Sequence, residues 1–179
     1  MGRHQPLTLA TTAPLAFTGG RGLHFKESMK PIYHYTTGDR LIPIIEAGQI
    51  NPATKSVLPP ELPAVWLSVA SQWEQTASKG IIEEGAQRAM TLGEMIEAAG
   101  SLCRIEIDPE AVRIIPPLKL KERLKIDRIV LASLVESARE AGANPSEWRA
   151  VAGPIPISAF VSVELAKEFS PLAWTAIDF

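Results

Sequence analysis

EWRAVAGPIPISAFVSVE, residues 147–164, holds two runs of strand character, Glu147–Val151 and Ile157–Glu164. They are parted by Gly153-Pro154-Ile155-Pro156, a break that allows no helix. Parallel neighbours need a long crossover, usually a helix, and these two strands have none between them. The pattern therefore favours an α+β domain with a mixed, short-stranded split sheet and flanking helices over a doubly wound fold.

Upstream, Asp127–Ala141 reads as a helix. Ile129, Val130, Leu134 and Val135 form its expected inner face, and Gly142 stops it. Lys119, Lys121, Arg123, Lys125 and Arg128 read as a solvated basic face. Leu102–Ile107 alternates as a strand, with Cys103, Ile105 and Ile107 toward the core. Arg113–Ile115 is a further short strand. The weak amphipathicity of Gly80–Ala99 suggests helix, partly loop. Ser71–Lys79 reads as a short helix, with Ser71 as N-cap and Glu74 completing a capping box. Ala64–Val69 and Lys30–Thr36 are strands, Asp39–Ala47 is a helix closed by Gly48, and the proline-rich Ile50–Pro63 is a loop. In the tail, Trp174 and Phe179 are expected to cap an edge of the core.

The chain of 179 residues suits one domain, residues 29–179, preceded by an extension, residues 1–28. That extension is rich in Thr, Gly and Pro and lacks periodicity, so it is expected to be flexible. Its apolar stretch Leu7–Phe17 is broken by Pro14 and does not read as a signal peptide. Hydrophobic residues make up 46% and the net charge is −2, which argues for a packed core and against a polybasic binder. A single cysteine excludes an internal disulfide framework and fits a cytoplasmic protein without membrane partners.

Nucleotide and hydrolase motifs of the GxxxxGK[ST], GxGxxG and GxSxG types are missing, as are HExxH and CxxC metal signatures, so no metal is expected. What remains is a pattern of strand faces. Ile32, His34 and Thr36 alternate with Tyr33 and Tyr35. Trp66 and Ser68 alternate with Val65, Leu67 and Val69. Ser158, Phe160, Ser162 and Glu164 alternate with apolar residues. If the mixed faces line one groove, it offers an imidazole, hydroxyls, an indole and a carboxylate, a set suited to a sugar-bearing ligand with a flat ring.

IYHYTTGDRLIPIIEAGQI (residues 32–50), the proline-rich loop, then VWLSVASQWEQTASKG (residues 65–80) follow an order that resembles the N-terminal half of the ADP-ribosyltransferase superfamily. The likeness is to its diphtheria-toxin-like, poly(ADP-ribose) polymerase-like branch with a histidine-tyrosine-glutamate triad. The chain also resembles small uncharacterised bacterial proteins sharing the HYT and VWLS patterns. Tyr35 stands where the branch has glycine, and Trp66 where it has tyrosine.

The resemblance implies NAD as substrate, cleavage of its nicotinamide–ribose bond, and transfer to a protein or nucleic-acid target. It implies His34 and Glu164 as the catalytic pair, with Glu106 in reserve for the acid. His34, Tyr35, Thr36, Trp66, Ser68 and Trp73 would hold the nucleotide. A carboxylate beside the ribose would stabilise the developing oxocarbenium charge. The alternative is a catalytically inactive nucleotide- or partner-binding module of the same fold.

Overall fold

The computed structural model describes residues 30–55 and 57–179. The expectation for residues 1–28 lies outside them. In chain order the elements are β1 (Tyr33–Thr37), α1 (Gly38–Ala47), β2 (Gln49–Ile50), β3 (Val65–Ser68), β4 (Gly80–Glu83), β5 (Ala86–Ala89), α2 (Leu92–Ala99) and β6 (Leu102–Ile107). There follow α3 (Leu120–Leu124), α4 (Arg128–Glu140), β7 (Trp148–Val151), β8 (Ile155–Pro156), β9 (Phe160–Ala166) and β10 (Thr175–Ile177).

Six strands form the main sheet in the order β10-β9-β6-β1-β3-β7, while β2 pairs with β8 and β4 with β5. Every strand pairing is antiparallel. The α+β class stands, but the sheet is not of mixed direction. No crossover helix is needed between β7 and β9 because they are not neighbours: β7 lies at one edge and β9 next to the other.

Register fixes the two faces. His34, Ile105 and Val163 lie level across β1, β6 and β9, and Thr36 lies level with Cys103 and Leu165. On this face Val65, Leu67, Cys103, Ile105, Ile107 and Val163 pack with Leu41 of α1, Ile50 of β2 and Ile155 of β8. The opposite face carries Tyr33, Tyr35, Arg104, Glu106, Ser162 and Glu164, together with Ser68, the partner of Tyr33. Two further cores cover that face. Trp73, Met95 and Leu102 pack with Tyr33 and Tyr35. Leu120, Leu124, Ile126 and Ala138 pack with Trp148 and Ala150.

Local chemistry explains the turns that set these layers. Gly38 begins α1 directly after β1, and a Cβ there would lie 2.1 Å from Ser101 Oγ. Its amide donates to the Ser101 carbonyl at 2.8 Å, and a side chain at position 38 would force the Ser101 hydroxyl aside. Gly48 ends α1 in the left-handed region at φ 67°. The α2 helix starts with a true capping box, Thr91 with Glu94.

Four local expectations are corrected. Gly80–Ala89 is a hairpin whose turn residues Glu84 and Gly85 have φ of 50° and 82°, the conformation of a two-residue turn. Ser71–Lys79 contains only a 3₁₀ turn, Gln75–Ala77, capped by Glu74. In α4 the residues facing the core are Leu131, Val135 and Ala138, whereas Ile129, Val130 and Leu134 are exposed. Arg113–Ile115 reduces to one bridge, Ile115 with Ala150.

Candidate functional site

The main sheet has a weak seam. Five residues of β1 pair with β6 and four of β3 pair with β7, but β1 and β3 meet at one pair, Tyr33 with Ser68. Beyond that pair the backbones do not continue the ladder. The His34 ring takes part of its place, with Nδ1 3.0 Å from the Trp66 carbonyl. A carbonyl can only accept, so Nδ1 carries the proton and Nε2 is the lone-pair nitrogen. The ring makes no other hydrogen bond among the described residues. His34 is among the residues that line the adjoining cleft. Burial, opposed by the Trp66 bond and assisted by the charge of Lys79, lowers the pKa of His34. The imidazole is thus a neutral acceptor at neutral pH.

A cleft of about 660 Å³ opens at this seam. His34, Tyr35, Trp66 and Ser68 line it, with Glu74, Lys79 and Trp148, and one wall is the Leu134–Ala141 flank of α4. Its size lies within the range of small-molecule sites. Trp66 and Trp148 meet edge to face, with ring centroids 5.9 Å apart.

Glu74 is the cleft's carboxylate, and the residue is 7% exposed. Its Oε2 accepts from the Ser68 hydroxyl at 2.7 Å. Its Oε1 accepts from the Thr76 hydroxyl at 2.8 Å, the Thr76 amide at 3.3 Å and Trp148 Nε1 at 3.4 Å. One side chain therefore ties the Ser71–Lys79 segment to β3 and β7. Lys79 stands at the end of that segment. Desolvation and the charge of Arg40 lower its pKa, against the opposing pull of Asp39.

Four sequence-derived candidates, His34, Tyr35, Trp66 and Ser68, thus share the cleft. Tyr35, Trp66 and Ser68 do so from the face opposite His34, so the expected single groove of mixed strand faces is corrected. The Tyr35 hydroxyl donates to the Ala70 carbonyl and its ring lies 5.2 Å from Trp73. Three candidates are elsewhere. Thr36 is buried beside Cys103. Trp73 is buried between Tyr35 and Trp174, stacked on the latter at 6.4 Å. Glu164 lies on the sheet face opposite His34, its Oε2 2.6 Å from Arg104 Nε. The reserve acid, Glu106, accepts from Ser162 Oγ at 3.2 Å on that same opposite face. The expected pairing of His34 and Glu164 across one furrow is therefore corrected. Alternation sorts each strand into two sets, but only pairing says which sets coincide.

Arg104 is occupied as well. Its guanidinium lies 4.6 Å from the ring centroids of both Tyr33 and Trp174, and it donates to the Ser71 carbonyl. This cluster holds the C-terminal tail against the sheet, the edge-capping role expected of Trp174. Among the described residues no group of three or more His, Cys, Asp or Glu could hold a metal ion, and no helix is long and apolar enough to cross a membrane.

Glu74, Lys79 and Trp148 escape a reading of strand faces because they lie in a turn, at a hairpin entry and on an edge strand. The one signal for Glu74 was a glutamate two residues before Thr76, the spacing of a side-chain-capped turn. No protein-family model, curated protein or solved structure matches this chain.

Proposed function

We propose that the cleft between β1 and β3 binds a nicotinamide-type nucleotide, and that the chain is a nucleotide-binding module related in fold to the ADP-ribosyltransferases. The observation that carries this reading is the convergence of His34, Trp66 and Ser68 on one cleft of about 660 Å³. Nε2 of His34 is an acceptor suited to a ribose hydroxyl, and the two indoles offer stacking surface for a flat ring. Cleaving the glycosidic bond needs a carboxylate close to the ribose. Glu164, the acid implied by the resemblance, is engaged by Arg104 and does not line the cleft. That argues for binding without transfer.

One observation favours a second reading, in which the chain cleaves NAD and modifies a protein or nucleic acid. Glu74 places a carboxylate in the same cleft as His34. A single experiment separates the two. The full chain is mixed with NAD, and both melting temperature and free nicotinamide are followed, with His34→Ala and Glu74→Gln alongside. Stabilisation without nicotinamide release selects the binding module. Release that disappears in Glu74→Gln selects the transferase. Neither stabilisation nor release, with or without a cell lysate as target, overturns both.

A further inference from the structure

The charges of the cleft are not mixed but segregated. Glu74 is buried, yet all four of its hydrogen-bond donors are neutral: the Ser68 and Thr76 hydroxyls, the Thr76 amide and the Trp148 indole. Among the described residues the ion pairs involve Asp39, Glu83, Glu94, Glu122 and Glu164, and none includes Glu74. Neutral donors satisfy the lone pairs but leave the net negative charge in place. A buried charge of this kind lacks the opposite charge that normally offsets its desolvation. Beside it stand Trp148, which touches the carboxylate through its Nε1, and Trp66. Indole faces attract cations, and flat, weakly hydrated cations most readily.

The other end has the opposite sign. Lys79 lines the cleft five residues after Glu74, near enough to His34 and Arg40 for their charges to interact. The turn Gln75–Ala77 separates Lys79 from Glu74 in the chain, and no ion pair joins the two among the described residues.

We infer that the cleft is a polarised site: the Glu74–Trp148 end takes a flat delocalised cation of the N-alkylpyridinium class, and the Lys79 end takes the anionic group attached to it. This inference deepens the nucleotide reading and rests on it for the sugar–phosphate part alone. An oxidised nicotinamide nucleotide has this charge pattern, with a cationic ring at one end and phosphate at the other. Its reduced form has a neutral ring and does not. Glu74 is therefore the specificity-determining residue for oxidation state.

The test uses intrinsic tryptophan fluorescence, since Trp66 and Trp148 line the site. The full chain is titrated with 1-methylnicotinamide, nicotinamide, nicotinamide riboside, nicotinamide mononucleotide, NAD and NADH. The cation 1-methylnicotinamide should bind about tenfold tighter than neutral nicotinamide, and NAD tighter than NADH by a similar factor. Glu74→Gln should shrink both ratios to about twofold, the share left to the indoles. Lys79→Gln should abolish the advantage of the mononucleotide over the riboside while leaving 1-methylnicotinamide affinity unchanged. Equal wild-type affinity for 1-methylnicotinamide and nicotinamide overturns the inference. That comparison needs no variant, so the decision stands even if Glu74→Gln does not fold. Cation selectivity without NAD binding defeats the nucleotide reading alone. NAD binding without cation selectivity defeats this inference alone.

Discussion

Glu164 and His34 project from opposite faces of one sheet, and Glu164 is held by Arg104 at 2.6 Å. The two side chains of that pair are 11% and 19% exposed, so water screens them little. Glu164→Gln leaves the Arg104 charge without its partner beneath Tyr33 and Trp174. Loss of about 3 kcal/mol in urea unfolding is expected. Affinity for the cleft's ligand should stay as in the wild type. A fall in ligand affinity without a fall in stability would return Glu164 to the site.

The Ser68–Glu74 bond predicts a different signature. Ser68→Ala removes a buried donor from a carboxylate, at a cost of about 2 kcal/mol. The Ser71–Lys79 segment should loosen with it. Hydrogen exchange should quicken at the Thr76 amide, which shares the carboxylate, more than at the amides of β6.

His34 sets a pH dependence. Its folded pKa lies below the ordinary value of 6.5, because burial disfavours the imidazolium. Between those two values the unfolded chain binds more protons than the folded one, so stability falls as pH drops through about 6.5 and levels off below the folded value. Equilibrium unfolding from pH 8 to pH 5 should reveal this slope. His34→Gln should remove its contribution. Ligand affinity in the wild type should hold through pH 6.5 and weaken only as pH falls through the lower folded value, where Nε2 ceases to be an acceptor.

Cys103 should be chemically silent. It is 0% exposed on the first sheet face, and burial pushes its thiol up to about 12. A thiol reagent such as Ellman's should label the native chain only as fast as it unfolds and should label it at once in denaturant. Rapid native labelling would contradict the packing of β6 against α1.

Much of this architecture was legible from short-range pattern. The alternation of Leu102–Ile107 marks β6 to the residue, and Gly48 marks the end of α1. The α4 helix was also legible, but its orientation was not. Its sequence carries two apolar stripes, and packing against Leu120, Leu124 and Ile126 selects Leu131, Val135 and Ala138 over Ile129, Val130 and Leu134. The β4–β5 hairpin lacked the usual Asn-Gly or Asp-Gly signal, since its turn is Glu84-Gly85. At the site, alternation groups Trp66 with Ser68, but it does not show that they lie on the face opposite His34 and meet it only at the β1–β3 seam. The capping-box spacing has Glu74 reaching back to the Ser71 amide, whereas it accepts from the Ser68 hydroxyl and caps the turn forward at Thr76. A choice between two local partners depends on which strand lies behind, and that is tertiary information.

The central claim is that the seam between β1 and β3 is a ligand site. Ser137 is exposed on α4 and lines that cleft, so Ser137→Trp fills it with no change to the core. Calorimetric titration with NAD of the wild type and of Ser137→Trp tests the claim most directly. The account predicts saturable single-site heat in the wild type and none in the variant, with both chains melting alike. Absence of binding in the wild type, or equal binding in the filled variant, would contradict it.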